Sequence, residues 1–158
     1  LALKTLKRWK KESPTEEVLW IISHGLRSLI KQGNKEALAL VGVKPDRSIE
    51  VSPLKLSKKS IKLGESISLN CELKNKSNNK KKVMLDYIVH HQKKNGLHAP
   101  KVFKLKKLEM MPGETLQISK KHKIAEISTR KYYTGDHFIQ LQVNGVTQNK
   151  EKFRLTVD

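Results

Sequence analysis

The sequence predicts a mainly β fold, an antiparallel β-sandwich preceded by a short α-helical segment. Apolar residues recur with spacings of three and four as far as Gly42 and alternate with polar residues from Ile49 onward, which is the change from helical to strand periodicity. Pro45 and Asp46 lie between the two patterns and favour a break followed by a turn. About seven alternating segments follow, and strands of that number and spacing are typical of a sandwich.

Two units are therefore expected, a helical one over residues 1–44 and a β unit over residues 45–158. The chain has 33 Lys and Arg residues against 15 Asp and Glu, a formal net charge of +18. Up to Arg47 there are ten basic and five acidic residues, and the remainder has 23 and ten, so both parts are basic. Such a charge favours nucleic acid or another polyanion as partner.

The main helix is predicted to start at the run Ser13–Glu16, SPTE. Its serine can cap, its proline suits the first helical position and its glutamate can close a capping box. Gly33 is expected to end the helix in the left-handed conformation. Asn34 then suits the N-cap of a short helix over residues 35–41, which Gly42 ends in the same way.

The main helix has two predicted faces. Trp20, His24, Arg27 and Lys31 form one strip, because residues three and four apart are neighbours on a helix surface. An aromatic ring beside two permanent cations suits an anionic partner, and the alternative is a solvated helix face. The residues expected to face the core, in one arc with Gly25, are Val18, Leu19, Ile22, Leu26, Leu29 and Ile30.

The first residues also have a helical pattern, with Ala2, Leu3, Leu6 and Trp9 on one side. A lone helix has nothing against which to bury such a stripe. We therefore expect further helical repeats upstream, which would make the chain the C-terminal part of a longer protein.

A family resemblance rests on the helical run His24–Gly33, HGLRSLIKQG, followed by Glu36–Gly42, EALALVG. This run resembles the last HEAT-like repeat of bacterial alkylpurine DNA glycosylases of the AlkC/AlkD type, and it is most similar to the AlkC branch. Some members of that branch add a C-terminal immunoglobulin-like domain. The resemblance implies that residues 1–44 end a HEAT-like α-solenoid and that residues 45–158 form an immunoglobulin-like sandwich.

Within the β unit the first strand is predicted to be split at Pro53, which fits an edge position. Asn144-Gly145 is the strongest hairpin signal in the chain and predicts that the last two strands pair directly. The predicted segments, the first three of them parts of the split strand, cover residues 49–51, 54–56, 61–63, 67–73, 83–89, 102–110, 116–118, 138–143 and 152–157.

The run Tyr133–His137, YTGDH, resembles the entry to strand F of an immunoglobulin-like sandwich. The second cysteine of that family would match Ile139, so the resemblance implies a variant without the disulfide. Cys71 is the only cysteine and is expected to be a small core residue. A β domain without disulfides favours a reducing compartment, and the resemblance to the glycosylases implies the bacterial cytoplasm, at the nucleoid. No apolar run reaches the length of a membrane span and no signal peptide is recognised.

The run His90–His98 contains three histidines and two lysines and is expected on a loop or hairpin tip. Lys93, Lys94 and His98 are candidate phosphate contacts, and a plain solvated loop is the alternative. A zinc site is not expected there, because no cysteine or carboxylate joins the histidines at a suitable spacing.

Arg130, Lys131 and Tyr132 precede the predicted strand F and are candidate contacts for nucleic acid, whereas Tyr133 is expected to be structural. Three further lysine clusters are expected to be solvated faces or protection of sheet edges. These clusters are Lys80–Lys82, Lys104–Lys107 and Lys120–Lys123.

The sequence contains no nucleophile elbow, glycine-rich phosphate loop or Cys-His zinc spacing, so no catalytic residue, metal site or cofactor is predicted. The resemblance implies a DNA alkylation repair hydrolase that excises purines such as 3-methyladenine, with its catalytic carboxylate in upstream repeats. This chain would be its DNA-binding C-terminal portion, a monomer that grips double-stranded alkylated DNA through the backbone. The alternatives are a non-enzymatic basic β-sandwich for polyanion binding or adhesion, and an RNA-binding module.

Overall fold

The computed structural model describes residues 2–158, in which helices come first and strands follow. Residue 1, which the predicted helical unit includes, lies outside the described residues. The mainly β fold with an N-terminal helical segment is confirmed. The helices are α1 Ala2–Glu12, α2 Glu16–Gly25, α3 Arg27–Lys31 and α4 Lys35–Leu40. The strands are β1 Ile49–Val51, β2 Lys55–Leu56, β3 Ser60–Lys62, β4 Ser66–Asn75, β5 Lys81–Gln92, β6 His98–Met110, β7 Thr115–Lys123, β8 Gly135–Val143 and β9 Val146–Thr156.

Two sheets enclose one core. In the first sheet β4 pairs with β1, β2 and β7, and in the second the order is β3-β9-β8-β5-β6. The three segments expected to be parts of one split first strand belong to different sheets. β1 and β2 pair with β4, whereas β3 crosses to the second sheet and lies parallel to β9. All other strand pairs are antiparallel.

The core of the sandwich consists of inward side chains from alternate strand positions, as the period of two requires. Cys71 is buried on β4 among these side chains, and its burial raises the pKa of the thiol to about 11. The expectation that Cys71 packs as a small core residue is confirmed. The helices have a smaller apolar cluster of their own, formed by Leu6, Ile22, Leu26, Ala37 and Leu40.

The start of the main helix differs from the prediction. Thr15, not Ser13, is the N-cap, and its side-chain oxygen accepts a hydrogen bond from the backbone N–H of Val18 at 3.3 Å. The predicted single helix is broken at Leu26, whose φ and ψ of −100° and 5° separate α2 from α3. Leu19, expected in the core, is exposed, because α2 joins the apolar cluster of the helices through Val18 and Ile22 instead.

The two predicted glycine stops are confirmed. Gly33 has a φ of 72°, and the N–H groups of Gly33 and Asn34 donate to the carbonyls of Ile30 and Leu29. This is the Schellman pattern that satisfies the last carbonyls of a helix. Gly42 ends α4 with the same pair of bonds, and the Asn34 side chain caps the start of α4 by accepting from the N–H of Ala37 at 3.0 Å.

The predicted hairpin at Asn144-Gly145 is also confirmed, with φ values of 49° and 80° at its two turn residues. Strand β9 begins directly after this turn at Val146, so the expected start at Lys152 is wrong. His90 and His91 belong to β5, and the expected loop is limited to the turn between β5 and β6.

The helices lie on the outer face of the second sheet. Leu38 of α4 and Val43 of the link form a buried cluster with Met84 of β5. Met84 alternates with core residues Val83 and Leu85, so its side chain is on the outer side of its sheet. This docking creates a cleft between the helices and strands β5 and β6.

Candidate nucleic-acid interface

The cleft between α2–α3 and the second sheet has a volume of about 480 Å³. One wall is helical and carries His24, Arg27 and Lys31. The other wall is formed by β5 and β6. We call this site the basic cleft, and its charged lining residues from β5 and β6 are Asp86, Lys101, Lys104 and Lys107.

The pairing of β5 with β6 brings the lysines to this wall. Met84 lies opposite Lys107, and Asp86 lies opposite Lys104, with a β-bulge after Leu85. Because Leu85 and Tyr87 point into the sandwich core, Asp86 between them is on the helix side. A β-strand therefore contributes cations to the same cleft as the helical strip.

The electrostatic balance of the basic cleft is positive. Its lining includes two cations from α3 and three from β6, against the single carboxylate of Asp86. Burial raises the pKa of the Asp86 carboxyl, and this rise is opposed by Lys104, by a hydrogen bond from Gln142 and by Lys31. An anion in this cleft would therefore experience a field of one dominant sign.

Trp20, the remaining member of the predicted helical strip, lies at the edge of this site. It is 61% exposed and stacks on the His24 ring with the two centroids 4.0 Å apart. Trp20 lines an adjoining groove together with Lys10, Lys82 and Lys107. The structure thus brings all four strip residues to one continuous surface.

Four of the other predicted contact residues line a second, shallower cleft of about 380 Å³ at the end of the sandwich. We call it the loop cleft; Lys93, Lys94, Arg130 and Lys131 line it. The amino group of Lys131 is 5.8 Å from the centroid of the Tyr133 ring, which also lines the cleft.

Tyr132 and His98 are placed differently from that group. Tyr132 packs against the sandwich core with its ring edge-on to His91, whereas Tyr133, which was expected to be structural, lines the loop cleft. His98 is exposed at the start of β6, where its Nε2–H donates to the carbonyl of Asp136 at 2.7 Å and its ring meets Phe138.

His91, at the base of the loop cleft, is 5% exposed, and its Nδ1 has no hydrogen-bond partner among the described residues. Burial, followed by the charge of Arg130, lowers the pKa of His91 to about 3. Burial also lowers the pKa of His122 and of His137. These imidazoles are therefore neutral and structural at pH 7.

The sequence analysis assigned Lys104 and Lys107 to a solvated face and did not single out Lys101, so it missed the three β6 lysines that line the basic cleft. The signal that identifies them is the register between β5 and β6 combined with the docking of the helices, and neither is visible in local periodicity. Within residues 2–158, no group of three or more His, Cys, Asp or Glu side chains could hold a metal ion. None of the helices over that range is both long and apolar enough to cross a membrane.

Comparison with known structures finds the Pseudomonas fluorescens alkylpurine DNA glycosylase AlkC, solved bound to DNA containing an abasic site analog. The match has a TM-score of 0.90 and 35% sequence identity, and covers 98% of this chain and 42% of that one. A beta-glucosidase from Listeria innocua matches with a TM-score of 0.55 and 15% identity over 70% of this chain and 16% of the enzyme. That second likeness concerns the fold alone.

Among curated proteins, the chain is 30% identical over 155 residues to the uncharacterized protein YhaZ of Bacillus subtilis. The alignment covers 98% of this chain and 42% of YhaZ, so the chain spans less than half the length of either relative. Residues 50–157 match the family model described as the C-terminal Ig-like domain of uncharacterised protein YhaZ, which confirms the predicted immunoglobulin-like sandwich. The chain therefore belongs to the YhaZ C-terminal Ig-like domain family.

Proposed function

We propose that this chain is the DNA-binding C-terminal portion of a bacterial alkylpurine DNA glycosylase that acts in DNA repair. The observation that carries the proposal is the basic cleft, in which cations from a helix and from a strand converge. The similarity to a glycosylase solved with DNA supports it. In this proposal residues 1–44 are the end of a HEAT-like solenoid and residues 45–158 are a separate domain.

The basic cleft binds the phosphate backbone of duplex DNA. Arg27 and Lys31 contact phosphates from the helical wall, and the three lysines of β6 contact them from the sheet. Such contacts position a duplex without reading its sequence. Trp20 and His24, stacked at the edge, contact the sugars next to those phosphates.

The loop cleft makes a second set of phosphate contacts through Lys93, Lys94, Arg130 and Lys131. His98 and Tyr132 stand beside this set and support its loops. Two separated groups of cations hold a duplex in a fixed orientation, which one group alone does not.

Base excision itself belongs to upstream repeats of the parent protein. An alkylated purine such as 3-methyladenine carries positive charge and is a good leaving group. A carboxylate near the sugar stabilises the charge that develops at C1′. In this proposal the chain holds the duplex, as a monomer in the bacterial cytoplasm, and leaves that step to the upstream repeats.

Duplex binding with paired charge variants tests the proposal. Arg27→Ala with Lys31→Ala removes two cations from the basic cleft. Lys121→Ala with Lys123→Ala removes two exposed cations from β7, which is in the other sheet. Fluorescence anisotropy with a labelled duplex should show a clear loss of affinity for the first pair and little change for the second.

The same titration separates the proposal from a general polyanion-binding or adhesion module. A diffuse electrostatic surface responds to the number of charges removed and not to their location. Equal losses of duplex affinity in the two variant pairs, together with equally effective competition by heparin in both, would contradict the proposed DNA site.

A further inference from the structure

We infer that the Asn144-Gly145 turn is the fixed point that holds the helices against the second sheet and thereby sets the opening of the basic cleft. Only the DNA-binding part of its test rests on the proposed function. The turn positions the two walls of the cleft, although neither of its residues lines the cleft.

Asn144 connects three segments of the chain. Its side-chain amide donates to the carbonyl of Lys44 in the link at 2.9 Å and to that of Lys82 at 3.3 Å. Its Oδ1 accepts a hydrogen bond from the N–H of Met84 at 2.7 Å. Asn144 is 2% exposed and adopts a positive φ of 49°. A buried asparagine with its donors and acceptor paired specifies one arrangement, because any shift leaves buried polar atoms unsatisfied.

The turn touches the helices through backbone atoms. A Cβ placed on Gly33 would lie 2.6 Å from the carbonyl oxygen and 3.3 Å from the Cα of Gly145. A Cβ placed on Gly145 would collide with Leu38, a buried residue of α4. The loop between α3 and α4 therefore rests on the hairpin turn with no room for a side chain between them.

A hydrogen bond extends this contact to the wall of the basic cleft. The side-chain amide of Gln142 on β8 donates to the carbonyl of Lys31 at 3.2 Å. Gln142 also lies directly opposite Asp86, which lines the cleft, in the pairing of β8 with β5. The C-terminal end of α3, which carries Lys31, is thus tied to the same hairpin that supports it.

Both walls of the cleft are therefore located relative to one turn. The position of the helical wall is set at Gly33, which lies two residues after the end of α3. The position of the sheet wall is set at Met84 and Lys82 of β5, because β6 and its lysines pair with that strand. A displacement at the turn moves Arg27 and Lys31 relative to Lys104 and Lys107 without removing any charge.

Gly33→Ala is the direct test, and Gly113→Ala is its matched control. The two glycines have φ values of +72° and +73°, so alanine meets the same backbone strain at both positions. A Cβ on Gly113 has nothing within 4 Å, whereas a Cβ on Gly33 must retreat by about 0.8 Å from Gly145 to reach an ordinary contact of 3.4 Å. The difference between the variants therefore isolates the contact between the turns.

Pulsed electron paramagnetic resonance provides the structural readout. Spin labels at Ser28→Cys on α3 and Lys106→Cys on β6, in a Cys71→Ala background, report the separation of the two walls; both sites are exposed. Gly33→Ala should shift or broaden the distance distribution, and Gly113→Ala should leave it unchanged. Duplex affinity should fall several-fold in Gly33→Ala alone, although both proteins keep the charge of the wild type.

Gln142→Met provides a second variant that alters no turn backbone and applies if Gly33→Ala does not fold. It removes the bond to Lys31 and should broaden the same distance distribution. An unchanged distribution in the folded variants overturns the inference, whatever happens to DNA binding. An altered distribution supports the role of the turn, and an unchanged duplex affinity beside it contradicts the proposed DNA site in the basic cleft and not the role of the turn. Failure of the wild type to bind duplex DNA contradicts the proposed function and leaves the distance measurement to decide the role of the turn.

Discussion

At the residue scale, the buried histidines make the free energy of unfolding depend on pH. His91, His122 and His137 are held in their neutral forms because burial disfavours the charged imidazolium. Below about pH 6.5 the unfolded chain binds protons at these positions, whereas the buried imidazoles of the folded chain stay neutral. The free energy of unfolding is therefore undiminished above that pH. It decreases as the pH falls toward the pKa of the folded state, which is about 3 for His91.

The contribution of His91 can be isolated with His91→Phe, which keeps an aromatic ring against Tyr132 and removes the titrating group. Between pH 7 and pH 5, protonation of His91 in the unfolded chain should lower the unfolding free energy of the wild type by on the order of 1–2 kcal/mol. Urea unfolding at the two pH values should show a smaller loss in His91→Phe.

His24→Ala is the control for this experiment, since it removes an exposed histidine from α2. It should keep the pH-dependent loss of the wild type. An equal loss in His91→Phe and in the wild type would show that the buried imidazole is not the source of the acid sensitivity.

At the scale of elements, strand β6 distinguishes the cations of the cleft from those of the surrounding surface. Lys107 lines the basic cleft opposite Met84, whereas its neighbour Lys106 does not line it and lies opposite the core residue Leu85. If Lys107 contacts one phosphate, Lys107→Ala should reduce the slope of log K against log salt by about 0.9. Lys106→Ala removes the same charge and should leave the slope nearly unchanged.

Elements with local signals were predictable from the sequence. Gly33, Gly42 and Asn144-Gly145 each need a left-handed conformation that few residues adopt, so their positions were found correctly. The start of α2 was misplaced by two residues, because Ser13 and Thr15 are both good caps and only the tertiary structure chooses between them. The crossing of β3 to the second sheet has no local signal, since it depends on pairing with β9 at the far end of the chain.

At the scale of the whole molecule, the sequence identified half of the basic cleft. Helical spacing grouped Trp20, His24, Arg27 and Lys31, because neighbours on one helix are fixed by its geometry. Lys104 and Lys107 joined them only through strand register and through the docking of α4 on Met84. A site shared by a helix and a distant strand depends on long-range contacts that sequence periodicity does not encode.

We propose that duplex DNA is held in the basic cleft and not by the net charge of +18 alone. The salt dependence of duplex binding, measured for the wild type and the two double variants, tests this most directly. Each phosphate contact contributes a slope of roughly −0.9 in log K against log salt, so Arg27→Ala with Lys31→Ala should make the slope shallower by about two. Lys121→Ala with Lys123→Ala should change it little. An equal change of slope in both double variants would contradict the account, because the charges would then act without regard to their place in the fold.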